Sequence, residues 1–219
     1  MSGRRTALRG LLAAALLGLA ACASVIDKSE PPTLYDLGPL PPPAAGAAPQ
    51  AGAALVLPSI EASGGLDSTA LLYRLGYENL HELRPYAQAR WSAPVPQLVH
   101  ERLGALLARE RAVIGTGELT ATPRSDAGAP RVLRLQLQEF AHHFEAPQRS
   151  RGTLRLRATL LQSGPLGDRL IAQRSFEVQQ PAPSPDAAGG VRALSQAVDA
   201  AARQIDAWLR ETRDATPAA

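Results

Sequence analysis

Apolar and polar residues alternate most regularly in the second half of the chain. Over residues 131–145, Leu133, Leu135 and Leu137 fall on one parity and Arg134, Gln136 and Gln138 on the other. The parity then flips, with Phe140 and Phe144 on even numbers. One extra residue near Glu139 would produce that flip, so a bulge is expected there. Residues 151–162 set Leu154, Leu156, Ala158 and Leu160 against Arg155, Arg157 and Thr159. Residues 169–179 put Leu170, Ala172, Phe176 and Val178 on one side, after a turn marked by Gly164-Pro165 and Gly167-Asp168. This is the signature of three antiparallel strands with one dry face and one wet, arginine-rich face.

Two other stretches repeat with helical spacing. From about Pro94 to Arg111, residues Val95, Val99, Leu103, Leu106 and Leu107 share a face, with Arg102, Arg109 and Arg111 off it. Prolines open this helix, and Gly115 and Gly117 are expected to close it. From about Ala187 to Arg213, residues Val191, Leu194, Val198, Ala201, Ile205, Trp208 and Leu209 make one stripe, which should lie on the dry face of the sheet.

Shorter extended segments precede the first helix. They cover 33–40, 54–63 (broken at Pro58), 68–75 and 85–91, with a turn and weak strand between the last two. Residues 41–54 are almost wholly proline, alanine and glycine and read as a loop, as do 181–190. The first strand either docks on the main body or belongs to a tether. The fold class expected is α/β (α+β): an antiparallel-rich sheet with two amphipathic helices packed on one face, spanning residues 33–213, with a frayed tail at 214–219.

The beginning of the chain follows a different logic. Arg4, Arg5 and Arg9 precede an apolar run from Leu11 to Leu19, and Leu19-Ala20-Ala21-Cys22 closes it. This looks like a bacterial lipoprotein signal peptide over residues 1–21, cut between Ala21 and Cys22. The Cys22 thiol would carry diacylglycerol and the new amino group a palmitate-like acyl chain, because stable anchoring takes two chains or more. Cys22 is the single cysteine, so it has no disulfide partner within the chain, and acylation gives it a purpose. A transmembrane helix over the uncharged Gly10–Ile26 run would be at the lower edge of spanning length, and Arg4-Arg5 lacks the context of a twin-arginine signal. Residues 22–32 form a lipidated tether reaching on the order of 30 Å. Ala23 stands where an aspartate would resemble an inner-membrane retention signal, which favours the periplasmic face of the outer membrane.

Charge changes once this leader is set aside. Residues 1–21 hold three basic side chains and no acid, so the remainder balances 20 bases against 20 acids. The basic pI belongs to the leader, and nothing in the body suggests nucleic acid.

No catalytic constellation stands out. There is no Gly-x-Ser-x-Gly elbow, Walker loop or His-Glu-x-x-His motif, so no enzyme, metal or cofactor is expected. His142 and His143 are adjacent on a strand and point to opposite faces, a poor shared metal site. Ser63, Asp67 and His81 carry no triad signature, and Glu139 and Glu145 lack an acid–base partner. Glu101 and Glu110 read as solvated helix charges. Arg74, Arg155 and Arg157 could meet lipid phosphate, but ion pairs on a wet face are the simpler reading. Tyr86 and Trp91 either pack on the first helix or form an exposed aromatic contact.

Several of these segments together resemble a known group. The lipobox, Tyr35-Asp36-Leu37-Gly38-Pro39, Leu66-Asp67, Leu72-Tyr73-Arg74, the run Pro85 to Trp91 and Pro94-Val95-Pro96 look like the ABC-type transport auxiliary lipoproteins, the PqiC/YmbA-like group. The resemblance covers roughly residues 33 to 210, and the Pro/Ala insertion 41–54 departs from it. It implies an auxiliary role in lipid or hydrophobic-compound transport between two membranes. The partners implied are a protein with MCE domains and an inner-membrane ABC permease and ATPase, with a possible homo-oligomeric ring. On this resemblance Tyr35, Leu37, Gly38, Tyr73, Arg74, Tyr86 and Trp91 are family-motif or interface residues. The runner-up is a structural lipoprotein that scaffolds an envelope complex without handling lipid.

Overall fold

The computed structural model describes residues 30–42, 54–62, 64–115, 130–164 and 167–214. The expectations for the signal peptide, Cys22, most of the tether and nearly all of the 41–54 loop lie outside these residues. The body runs from Pro32 onward. Its strands are β1 (Thr33–Tyr35), β2 (Leu55–Val56), β3 (Glu61–Ala62), β4 (Ala70–Leu75), β5 (Arg84–Trp91), β6 (Val113–Ile114), β7 (Arg131–Ala146), β8 (Arg149–Gln162) and β9 (Arg169–Pro181). Helix α1 spans Val95–Leu107 and helix α2 spans Ala187–Asp214.

The alternating stretches form the antiparallel meander β7-β8-β9. Its ladder slips between Leu137 and Glu139, so the bulge lies where the parity flips. Leu133, Leu135 and Leu137 before it, and Phe140 and Phe144 after it, are all buried. On the opposite face Arg155 bridges Glu177 (3.1 Å) and Glu139 (3.4 Å), and Arg134 reaches Asp168 (3.1 Å). The arginine-rich face is thus laced with exposed ion pairs of small energetic weight.

The sheet is mixed, and the other edge of β7 is the reason. Three short strands share that edge in succession, all parallel to β7: β2 beside Arg131–Val132, β3 beside Gln136–Leu137 and β4 beside His142–Phe144. They amount to one strand interrupted by Pro58 and by a 3-10 turn at Gly64–Leu66. β5 pairs antiparallel with β4, and β1 pairs parallel with β5 through Tyr35↔Trp91. The first strand therefore docks on the body, although only Thr33–Tyr35 is strand.

Both helices cover the dry face. Val95, Val99, Leu103 and Leu107 of α1 join one core with Val191, Leu194, Val198, Ile205, Trp208 and Leu209 of α2. Helix α1 is shorter than its sequence suggests. It stops at Leu107 because the apolar stripe ends there, and Arg109-Glu110-Arg111 adds no apolar side chain to it. Helix α2 begins at Ala187, as its stripe predicts, and so takes in the Gly189-Gly190 pair that also reads as loop. Asp186 caps it, accepting from the Gly189 amide at 2.6 Å. Gly189 and Gly190 then lie inside its first turns because the helix comes too close to its neighbours for side chains. A Cβ on Gly190 would sit 2.5 Å from His142 Nδ1, and one on Gly152 of β8 would sit 2.6 Å from the Leu194 amide.

Candidate functional site

The Tyr35–Pro39 segment lies where β1 leaves the sheet and crosses the two helices. Tyr35 ends β1, and its carbonyl accepts from the Ser92 amide (2.7 Å). Asp36 then closes a tight turn, its Oδ1 accepting from the Gly38 amide at 2.7 Å. Gly38 has φ +73°, a left-handed conformation that glycine adopts without strain. The turn drives Leu37 into the core, at 6% exposure.

What holds this turn is Arg102 of α1. It is 7% exposed and makes a two-pronged ion pair with Asp199 of α2, Nε to Oδ1 at 2.6 Å and Nη2 to Oδ2 at 2.9 Å. Its remaining nitrogen donates to the carbonyls of Leu37 (2.8 Å) and Gly38 (3.0 Å). One turn of arginine chemistry thus ties three elements together, which a flat, forked donor does well. Just past the end of α1, Arg109 donates to the carbonyls of Pro41 and Pro42 (the latter at 3.3 Å). Farther still, Arg111 pairs with Asp206 of α2. Beside the strap an open groove of about 680 Å³ runs between Leu34–Gly38 and the first half of α2, with Val191, Arg192 and Ser195 on its far wall.

The aromatic motif residues gather at a second place. The Tyr73 and Tyr86 rings lie 4.6 Å apart, tilted by 44°, and the Tyr86 hydroxyl meets His142 Nδ1 at 2.8 Å. His142 is fully buried beneath Gly190, and its Nε2 has no hydrogen-bond partner. Burial lowers the His142 pKa to about 4, against a smaller opposing pull from Asp186. Burial likewise raises the Tyr86 phenol. The Asp186 carboxyl is held low by the Gly189 amide and then by the Ser184 hydroxyl.

A pH dependence follows. Between pH 6.5 and 4 the unfolded chain takes up a proton on this histidine that the folded chain refuses, so stability falls as pH falls. The loss approaches about 3 kcal/mol once pH drops below 4. His143, also shifted down by burial, adds in the same direction. Urea midpoints measured from pH 7 to 4 should decline, and a His142→Leu protein should show a visibly flatter decline. An unchanged slope in that variant would remove His142 as the source.

The remaining motif residues are placed as follows. Trp91 is 1% exposed, with its ring 5.5 Å from that of Phe140, so it is core and offers no surface to a partner. Arg74 donates to the Leu80 carbonyl. Ala21 and Cys22 lie outside the described residues, as does Ser63; Asp67 and His81 are exposed on separate turns. Among the described residues no three His, Cys, Asp or Glu side chains cluster to hold a metal ion, and no helix is long and apolar enough to cross a membrane. Arg102 and Asp199 were not legible as a pair. Arg102 follows Val99 by three positions and so borders the apolar stripe, but nothing local names its partner in α2.

This arrangement docks the segment after β1 onto both helices through one buried arginine. The description "ABC-type transport auxiliary lipoprotein component" matches residues 35–206, from the end of β1 into α2. The chain belongs to this family. An auxiliary lipoprotein of an ABC-type transport system is thus the setting for the strap, the groove and the aromatic cluster, and it associates the protein with the cell envelope. No curated protein matches the chain. Among solved structures, a Xanthomonas campestris protein of the DUF330 family is similar at TM-score 0.68 and 23% identity, over 83% of this chain and 97% of that one. A crystal structure of an uncharacterized protein is similar at TM-score 0.62 and 14% identity, over 82% and 99%. At these identities the likeness shows the fold of the auxiliary lipoprotein alone.

Proposed function

We propose that this auxiliary lipoprotein is anchored by acylated Cys22 to the periplasmic face of the outer membrane. There it serves, without catalysis, as one component of an MCE-type machine that moves lipid between the two membranes. The observation that carries this reading is the match to the ABC-type transport auxiliary lipoprotein component over residues 35–206. The strap supports it, because the family motif is spent on fixing the chain's entry to the body, a feature suited to a tethered part. Such a component works by positioning and contact. Its two helices share one hydrophobic core with the sheet, and the groove beside Leu34–Gly38 offers a place for an extended partner segment.

Co-purification tests the proposal. Detergent-extracted full-length protein should bring down an MCE-domain protein and an ABC permease or ATPase. Its deletion should raise detergent sensitivity and alter the distribution of lipid between the membranes. Capture of an envelope complex without those subunits, together with unchanged lipid distribution, would instead identify a scaffolding lipoprotein.

A further inference from the structure

We infer that the β4–β5 turn, residues 76–83, is a membrane-contacting tip that rests in the headgroup region of the bilayer holding the chain's own lipid anchor. This rests on the reading of Cys22 as that anchor. Direction is the first argument. β1 runs parallel to β5, with Thr33 beside Ala89, so the chain enters β1 from the side on which β5 begins. β5 begins at Arg84, immediately after the turn, about 17 Å along the strand from Ala89. The covalent path from Cys22 to Thr33 spans at most roughly 40 Å. The chain entering β1 and the turn thus lie toward the same end of the body.

Composition of the tip is the second argument. Among the described residues six large hydrophobic side chains are exposed, and three of them, Tyr77, Leu80 and Leu83, lie in this one turn. At 60%, Leu80 is among the most exposed. A tyrosine beside leucines is the mixture favoured at a membrane–water boundary, where the ring is apolar and the hydroxyl stays wet.

Internal pairing of the polar groups is the third. The Leu75 carbonyl accepts from the amides of Glu78 (3.0 Å) and Asn79 (2.9 Å). The Asn79 side chain accepts from the His81 amide at 2.9 Å, and the Leu80 carbonyl is taken by Arg74. Glu82 and Glu78 both pair with Arg84, at 2.7 and 3.7 Å. The turn is therefore held in shape by its own bonds and by Arg74, while Tyr77, Leu80 and Leu83 stay partly exposed. These bonds satisfy part of the turn's polar backbone within the protein, which lowers the cost of approaching a low-water layer. Arg74 and Arg84 at its base balance Glu78 and Glu82, which suits zwitterionic headgroups and argues against attraction to an anionic surface.

The test uses the acylated full-length chain. Because Cys22 is the single cysteine and would be acylated, Leu80→Cys introduces the one free thiol, to be labelled with an environment-sensitive fluorophore. The control is Arg169→Cys, an exposed position at the start of β9, about 40 Å away along the sheet. Both proteins are reconstituted into phosphatidylethanolamine–phosphatidylglycerol vesicles containing a doxyl-labelled lipid. The expected result is flotation of both, with blue-shifted emission and loss of most of the signal at position 80 and neither at 169. Flotation without quenching at 80 overturns the tip and leaves the anchor standing. A blue shift at 80 without lipid quenching also overturns it, since the turn then meets protein, such as a second copy. Failure to float, with no quenching, overturns both readings.

Discussion

Replacing Arg102 by alanine should lower the free energy of unfolding by about 3–5 kcal/mol, the cost of leaving one member of a buried ion pair without the other. Asp199 would keep a carboxylate with no counter-charge, and the Leu37 and Gly38 carbonyls would lose their donor. The strap over residues 37–39 should come free in consequence. Two measurements check this: urea unfolding of the variant, and limited proteolysis, in which cleavage near residues 37–42 should appear under native conditions. An Arg102→Met, Asp199→Leu double variant should recover part of the loss, because it removes the orphan charge. A single variant within about 0.5 kcal/mol of the parent would place the pair among the exposed bridges of negligible weight.

The second large effect is expected at Trp91. Trp91→Ala should cost about 3–5 kcal/mol through lost burial and the cavity left against Phe140. The loss should be seen in the unfolding of the isolated protein at low concentration. An interface residue would behave differently: stability would hold while association with a partner weakened. That second pattern would return Trp91 to the surface.

These two residues mark what the sequence makes legible. The meander was readable because each strand buries one face, and one-sided burial writes a period of two along fourteen residues or so. The bulge was readable for the same reason, as a break in parity between Leu137 and Phe140. Helix α2 was readable from its stripe, yet its Gly189-Gly190 start looked like a loop. Gly190 is there for His142, a contact made across nearly 50 residues of sequence, and Gly189 for the backbone of Ser184 just before the helix. The strands β2, β3 and β4 are short, and their parallel register along β7 is set by non-local packing that leaves no periodic trace. Trp91 had two open readings because an aromatic near prolines has the same local sequence whether it faces in or out. Arg102 was set aside with the off-face arginines because charge at the border of a stripe ordinarily points to water. Its burial depends on Asp199, 97 positions away.

The parallel pairing of β1 with β5 also has a mechanical consequence. A pull on the chain upstream of Thr33 acts along the axis of β1. The hydrogen bonds of Thr33–Tyr35 to β5 are then loaded together, in shear, and are not opened one after another as at the end of a hairpin. Behind them the load passes to the Tyr35 carbonyl on Ser92 and to the guanidinium of Arg102. The join at β1 is therefore built to bear tension along the strand, and the body should stay folded under a pull applied upstream of Thr33.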